Sequence, residues 1–82
     1  MSEKNWFVYM LKCADDSLYT GITTEPERRL LQHNAGIGAK YTRCRLPVSM
    51  VYIQQVSDHS QALRTELQIK KLPRSEKLKL IK

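Results

Sequence analysis

Glu66 is the residue of this 82-residue sequence whose position points most directly to chemistry. At 100° per residue, it falls inside the apolar arc of its predicted helix. That arc consists of Ala62, Leu63, Leu67 and Ile69. An unpaired carboxylate in a core position is strongly destabilising or takes up a proton, so the placement favours a site that needs negative charge, such as a divalent metal site. Alternatively, Glu66 lies at the edge of the arc and pairs with Lys70, which would contribute only about 0.3–0.5 kcal/mol.

Two further residues, Arg29 and His33, are four apart on a predicted helix and therefore share a face. Arginine can hold a phosphate with two parallel hydrogen bonds, and histidine can move a proton near neutral pH. Exposed helix faces often carry both residue types, so the pair alone also fits an ordinary surface.

Tyr9 and Tyr19 lie on the two strands of a predicted hairpin. If an odd number of residues closes the loop, such as Ala14-Asp15-Asp16, Tyr9 faces Gly21 and both rings project from one side of the sheet. A two- or four-residue loop would separate them. Asp16 can adopt the left-handed conformation that a three-residue loop requires. Packing alone would also explain two half-buried tyrosines.

Basic residues around one aromatic side chain predict contacts with a nucleic-acid backbone. The residues concerned are Lys40, Tyr41, Arg43, Arg45 and Lys70. A solvated basic surface is the alternative. The glycine-containing segment 36–40 follows a helix and is too short for a phosphate-binding loop, so it is interpreted as a flexible helix end and hinge. The two cysteines and two histidines have no zinc-ligand spacing.

These residues must be positioned by a small α+β domain. Strands are predicted at 6–13, 18–23 and 48–56, the first two forming the hairpin. The first helix is predicted to begin within 24–27, where a hydroxyl side chain can cap it, and to stop at Gly36. A second helix is predicted from a cap at Ser57-Asp58 to Leu72, and a third from Ser75 through Lys82. The order ββαβαα indicates a three-stranded antiparallel sheet flanked by helices, and residues 1–82 are interpreted as one domain.

Charge distribution narrows the class of partner. Lys and Arg number 14 against eight Asp and Glu, and residues 40–82 hold ten of the basic and three of the acidic residues. Such asymmetry favours a polyanion, because neutralising phosphates releases counterions. No apolar run approaches the ~20 residues of a membrane span. The start lacks secretion-signal features and cysteines are few, which predicts a cytoplasmic protein with no membrane partner.

Motifs spread from Trp6 to about Ile81 together resemble the GIY-YIG nuclease superfamily, in particular its small stand-alone bacterial members of the UPF0213 type. In chain order, they are Phe7-Val8-Tyr9, Tyr19-Thr20-Gly21, the segment 28–33, Lys40-Tyr41-Thr42 and the segment 62–66. Each is weak alone, but five in this order are specific. The family's metal-binding carboxylate falls on Glu66, which the helical spacing singles out independently.

The resemblance implies hydrolysis of phosphodiester bonds, here in DNA rather than RNA, with Mg²⁺ or Mn²⁺. It implies that Glu66 ligates the cation and that Arg29 neutralises charge on the phosphate. Tyr9 would be the general base, Tyr19 would form a hydrogen bond nearby, and His33 would orient Tyr9 or relay protons. Since a phenol has an ordinary pKa near 10, the metal and neighbouring cations would have to lower the pKa of Tyr9.

The sequence also departs from the family pattern. Phe7 replaces a glycine, Ile22-Thr23 stands where many members have a lysine, and no asparagine follows Asn34, so that Leu78 matches the usual asparagine. A rival interpretation is therefore a catalytically weak or inactive nucleic-acid-binding module with the same fold. A third treats residues 58–82 as a helix-turn-helix. Specificity would come from a partner protein, because the chain has no room for an added domain.

Overall fold

A three-stranded antiparallel sheet forms the centre of the molecule. The computed structural model describes residues 5–81. The strands are β1 (Trp6–Lys12), β2 (Leu18–Thr23) and β3 (Ser49–Val56), and their order in the sheet is β2-β1-β3. Both neighbours run antiparallel to β1. The predicted α+β class and three-stranded sheet are confirmed.

Four helices accompany the sheet: α1 (Pro26–Asn34), α2 (Lys40–Arg43), α3 (His59–Lys71) and α4 (Arg74–Leu80). The order ββαβαα is therefore confirmed, with the single-turn helix α2 added in the basic segment before β3, where no helix was predicted. The predicted end of the last helix, Lys82, lies outside the described residues. No helix within residues 5–81 combines the length and apolar character that crossing a membrane requires.

Three residues, 14–16, form the loop of the β1–β2 hairpin inside the Cys13–Ser17 pair, and this odd number puts both tyrosines on one side. Cys13 and Ser17 close it, with the Cys13 amide donating to the Ser17 carbonyl at 2.9 Å. Asp16 takes the left-handed conformation, with φ of 68°. Asp15 accepts hydrogen bonds from the amide and hydroxyl of Ser17, which holds the loop closed.

The two faces of β1 build two separate apolar clusters. Val8 and Met10 are fully buried and pack with Ala62 and Ile69, so α3 covers this face. The alternate residues pack on the other face with Leu30 of α1. They are Tyr9 and Leu11, joined by Cys13 and Val48. Helix α1 and helix α3 therefore lie on opposite sides of the central strand.

The predicted apolar arc of α3 is wrong at two positions. Leu63 and Leu67 are 45% and 55% exposed, whereas Ala62 and Ile69 are buried. Spacings of four and three residues put Glu66 on the same stripe as Ala62 and Ile69, and its side chain is only 18% exposed. The two leucines stand one residue further on, a rotation of about 100° away from the sheet.

Helix ends follow local hydrogen bonding, with two differences from prediction. The N-cap residue of α1 is Glu25, and its side chain makes no capping hydrogen bond. The backbone amide of Glu25 instead donates to the hydroxyl of Thr23 at 3.0 Å. Asp58 caps α3 as predicted, accepting from the amide of Gln61 at 2.8 Å. Pro73, not Ser75, precedes α4. A rigid proline ring there fixes the turn without a capping side chain.

The end of α1 is held by a Schellman motif at Gly36. Its φ of +80° suits glycine, and its amide donates to the His33 carbonyl at 3.0 Å. The amide of Ile37 donates to the Gln32 carbonyl, also at 3.0 Å. The segment predicted to be a flexible hinge is therefore a hydrogen-bonded helix end.

Candidate active site

Tyr9 and Tyr19 lie side by side on the sheet face covered by α1. In the strand register, Tyr9 is opposite Gly21 and Tyr19 is opposite Leu11. The ring centroids of the tyrosines are 6.4 Å apart. The structure thus brings together two phenols that are ten residues apart in the chain.

Gly21 makes room for the Tyr9 ring. A Cβ atom at this position would lie 2.5 Å from the Tyr9 hydroxyl oxygen and 2.7 Å from Cζ, with Cε2 of Tyr19 at 3.2 Å. Such distances are shorter than van der Waals contact. Any larger residue would therefore displace the Tyr9 ring from its position.

His33 projects from α1 into the same buried space and is fully shielded from solvent. Its Nε2 atom is 2.9 Å from the Tyr9 hydroxyl, and its Nδ1 atom is 2.8 Å from the hydroxyl of Thr42. Burial, and then the positive charge of Arg29, lower the pKa of His33 below its ordinary value. The imidazole is therefore neutral at pH 7.

Arg29 lies one helical turn before His33 and is half-buried. Its Nη1 atom donates to Oε1 of Gln32 at 3.0 Å. The side chain also lines an open pocket of about 320 Å³, together with Arg28, Gln32 and residues of β2 such as Ile22. Arg29 therefore borders a solvent-accessible pocket.

The phenol of Tyr9 is almost completely buried. Burial raises its pKa above 10, Arg29 opposes that rise, and the nearby Tyr19 and Glu66 add to it. The protein cation that was expected to lower this pKa is in place, but desolvation outweighs it. Tyr9 is therefore a neutral phenol at pH 7.

Glu66 approaches from the opposite layer, on α3. Its Oε2 atom is 3.2 Å from Nζ of Lys70, one helical turn later. The structure thus combines both predicted features, a carboxylate on the sheet-facing stripe and an ion pair with an exposed lysine. Within residues 5–81, no group of three or more His, Cys, Asp or Glu residues could hold a metal ion. Glu66 is therefore not part of a cluster of three or more such side chains among the described residues.

The predicted nucleic-acid contacts divide into exposed and internally bound residues. Lys40, Arg43 and Lys70 are exposed. Arg45 is instead bound to Asp15 at 3.0 Å, donates to the carbonyl of Tyr41 at 2.8 Å, and lies 4.0 Å above the Tyr41 ring.

The Tyr41 ring also stacks on Tyr19, with centroids 5.9 Å apart. Arg45, Tyr41 and Tyr19 therefore form one packed group. Tyr41 is nevertheless 39% exposed, so part of its ring still faces solvent.

The sequence matches a family model described as the GIY-YIG catalytic domain over residues 5–79. The chain belongs to the GIY-YIG domain family. Relatives of this GIY-YIG domain include UPF0213 protein SH2523 of Staphylococcus haemolyticus, which is 53% identical over 92% of each chain. UPF0213 protein OB0043 of Oceanobacillus iheyensis is 49% identical over 96% of this chain and 92% of its own.

Two solved structures are also similar to this GIY-YIG domain, both determined by solution NMR. UPF0213 protein BH0048 from Bacillus halodurans shares 43% identity with a TM-score of 0.59. The protein EF2693 from E. faecalis shares 46% identity with a TM-score of 0.62. Each comparison covers 93% of this chain and 81% of the other.

Three residues around His33 and Arg29 stood in segments quoted in the sequence analysis but were given no role there. Thr42 binds His33, Gln32 binds Arg29, and Gly38 packs on the imidazole, since a Cβ there would lie 2.5 Å from Nδ1. Gln32 could have been found from its three-residue spacing to Arg29. Thr42 carried no such signal, because its contact spans nine residues across a loop.

Proposed function

We propose that this GIY-YIG domain is an endonuclease that hydrolyses phosphodiester bonds in DNA with a divalent cation. The observation that carries the proposal is the buried hydrogen bond of 2.9 Å between Tyr9 and His33, beside the guanidinium of Arg29. A phenol, a neutral imidazole and a fixed cation are the groups needed to remove a proton from water and to neutralise a phosphate.

The single carboxylate of Glu66 fits a magnesium or manganese ion held largely by its substrate. Mg²⁺ is usually bound through one or two carboxylates together with waters and substrate phosphates. Lys70, the present partner of Glu66, is half-exposed, so its side chain can turn away into water. When bound, the cation would polarise the phosphate and stabilise the leaving oxygen.

Arg29 would receive the scissile phosphate at the mouth of its pocket, donating hydrogen bonds to two phosphate oxygens. A water oxygen then bonds to phosphorus while the bond from phosphorus to the leaving oxygen breaks. The proton of that water passes to the Tyr9 hydroxyl oxygen, and Tyr9 releases its own proton to Nε2 of His33. The leaving oxygen takes a proton from solvent.

A buried phenol is a poor base because its proton is hard to remove, and the coupled proton transfers avoid a free phenolate. At ordinary pKa values near 10 and 6.5, moving a proton from tyrosine to histidine costs about 5 kcal/mol. Burial raises the pKa of Tyr9 and lowers that of His33, which widens this gap. Tyr9 must therefore gain a proton from water as it gives one up, and His33 holds the proton afterwards.

Contacts with the DNA backbone are assigned to the exposed cations Lys40, Arg43 and Lys70. The basic character of residues 40–82 supports a polyanionic substrate. Tyr41 and Arg45, both partly exposed, are proposed to add to this surface while their packing also holds Tyr19 in place. We further propose that the substrate is DNA rather than RNA and that a partner protein supplies specificity.

We also propose a cytoplasmic location, which the two free thiols of Cys13 and Cys44 support.

The test is cleavage of supercoiled, branched and single-stranded DNA with Mg²⁺ or Mn²⁺ by the wild type, Glu66→Gln and Tyr9→Phe. Glu76→Gln is the matched control, because Glu76 is a surface carboxylate paired with Lys79 on α4. We expect cutting by the wild type and the control, and a loss of about 100-fold or more in the other two. Equal cutting by all four proteins would identify a contaminant and refute the proposal.

The second candidate is a DNA-binding module without useful catalysis. It is favoured by the raised pKa of Tyr9 and by Ile22, which lines the Arg29 pocket where the resemblance expects a lysine. DNA binding would then weaken steeply with salt and would not respond to Mg²⁺. Cleavage that is lost in Glu66→Gln excludes this candidate.

A further inference from the structure

The hydroxyl group of Thr42 lies within hydrogen-bond distance of two polar atoms but has only one proton to donate. The carbonyl oxygen of Ala39 is 3.0 Å away, and Nδ1 of His33 is 2.8 Å away. A carbonyl oxygen can only accept, so the Thr42 proton points toward Ala39. Oγ1 then offers only lone pairs to His33, and Nδ1 must carry the hydrogen of that bond.

One other donor, the backbone amide of Ala39, lies near Nδ1 of His33, but at 3.4 Å. That distance is beyond the usual range for N–H donors, whereas the contact with Thr42 is short. The Ala39 carbonyl also accepts from the Arg43 amide at 3.2 Å, which leaves its second lone pair for Thr42. The Ala39 amide is thus the one donor that would need Nδ1 as an acceptor, and its contact is long, whereas the short contact with Thr42 favours a proton on Nδ1.

A neutral imidazole carries one proton, so a hydrogen on Nδ1 leaves Nε2 as an acceptor facing the Tyr9 hydroxyl. We propose that Thr42 is a positioning residue that fixes the neutral tautomer of His33 with Nδ1 protonated, so that Nε2 accepts the proton of Tyr9. This inference deepens the proposed function and rests on it for its catalytic consequence.

The same arrangement also suits the state after proton transfer. The imidazolium would donate from Nδ1 to Thr42 and from Nε2 to Tyr9, so no side chain has to turn. The titratable or charged groups facing His33 are Arg29 on its own helix, Tyr9 on β1 and Tyr19 on β2. Helix α2 contributes the uncharged Thr42.

Water cannot readily take the place of the Thr42 hydroxyl. His33 and Thr42 are both completely buried. Gly38 closes the space beside Nδ1, since even a methyl group on it would overlap the ring. A variant that lacks the hydroxyl therefore leaves Nδ1 without a short acceptor, and the ring is free to protonate Nε2 instead.

The experiment compares the full-length wild type with Thr42→Val, which keeps the shape but not the hydroxyl, and with Thr42→Ser, which keeps the hydroxyl. Long-range ¹H–¹⁵N NMR spectra report which imidazole nitrogen carries the proton. The sequence has only two histidines, so the exposed His59 serves as an internal reference. We expect an Nδ1-protonated His33 in the wild type and Thr42→Ser, and loss of that preference in Thr42→Val.

DNA cleavage gives the second readout. We expect a decrease of about tenfold or more in Thr42→Val and of less than about threefold in Thr42→Ser, as for other residues that orient a proton-transfer group. A wild-type spectrum with Nε2 protonated, or an unchanged tautomer in Thr42→Val, would overturn the inference. The wild-type spectrum decides this even if Thr42→Val does not fold. Absence of cleavage by the wild type, with the expected tautomers present, would instead count against the proposed function alone.

Discussion

Substituting Gly21 with alanine places one methyl group directly against the Tyr9 ring. Gly21 does not have a positive φ, so alanine introduces no backbone strain there. The new Cβ would be 2.5 Å from the Tyr9 hydroxyl oxygen and 2.7 Å from Cζ. Tyr9 has to move, and its 2.9 Å hydrogen bond to His33 breaks.

The magnitude follows from two contributions. Overpacking a buried site by one methyl group costs about 1–3 kcal/mol. Loss of a hydrogen bond between two buried groups costs about 1–3 kcal/mol more. We therefore expect Gly21→Ala to lower the free energy of unfolding by about 2–6 kcal/mol and to abolish cleavage, because the phenol no longer meets Nε2.

Urea denaturation of a double-mutant cycle measures this effect. Tyr9→Leu removes Cζ and the hydroxyl, so in that background Gly21→Ala should cost less than about 1 kcal/mol. Gly36→Ala is the comparison, because its Cβ meets no atom within 4 Å and only the φ of +80° opposes it. It should cost about 1 kcal/mol without altering the His33 NMR signals. An equal cost for Gly21→Ala in both Tyr9 backgrounds would refute the steric reasoning.

Two further predictions concern stability. Because the folded pKa of His33 is below its ordinary value of about 6.5, the unfolded chain binds the proton first, and the free energy of unfolding should fall as the pH drops from 7.5 to 5.5. Urea titrations should show this fall in the wild type and a weaker one in His33→Gln; a rise would contradict the shift. Asn34 accepts from the Val48 amide at 2.8 Å and donates to its carbonyl at 3.0 Å, so Asn34→Ala should cost about 1–3 kcal/mol by urea denaturation. The neighbouring exposed Leu31→Ala should cost almost nothing, and equal effects of the two changes would remove the bridging role of Asn34.

Much of the fold could be predicted from the sequence because its signals are local. The hairpin followed from a β-branched and aromatic run, turn residues and the tolerance of Asp16 for a left-handed conformation. The cap at Asp58 and the helix stop at Gly36 are also short-range effects. Such features depend on neighbours within about four residues, and a sequence displays those neighbours directly.

What could not be predicted depends on contacts between distant segments. The helical periodicity of α3 correctly predicted that Glu66 lies on the sheet-facing side but wrongly predicted burial of Leu63 and Leu67. Periodicity alone cannot fix the direction in which a broad apolar arc faces the sheet. The ion pair of Arg45 was not predicted, because its partner Asp15 is 30 residues away. The partner of Nδ1 of His33 was likewise invisible, as Thr42 reaches it only when the loop folds back.

Tyr9 and Thr42 stand on parts of the molecule with very different resistance to local unfolding. The amides of β1 are paired to strands on both sides, whereas Thr42 belongs to a single turn between two loops. The central strand should therefore exchange its amide hydrogens slowest and the segment around α2 much faster. Transient opening of that segment would separate His33 from Thr42 while the sheet stays intact. Under the proposed function, a ligand that clamps this short helix would therefore raise the rate of cleavage.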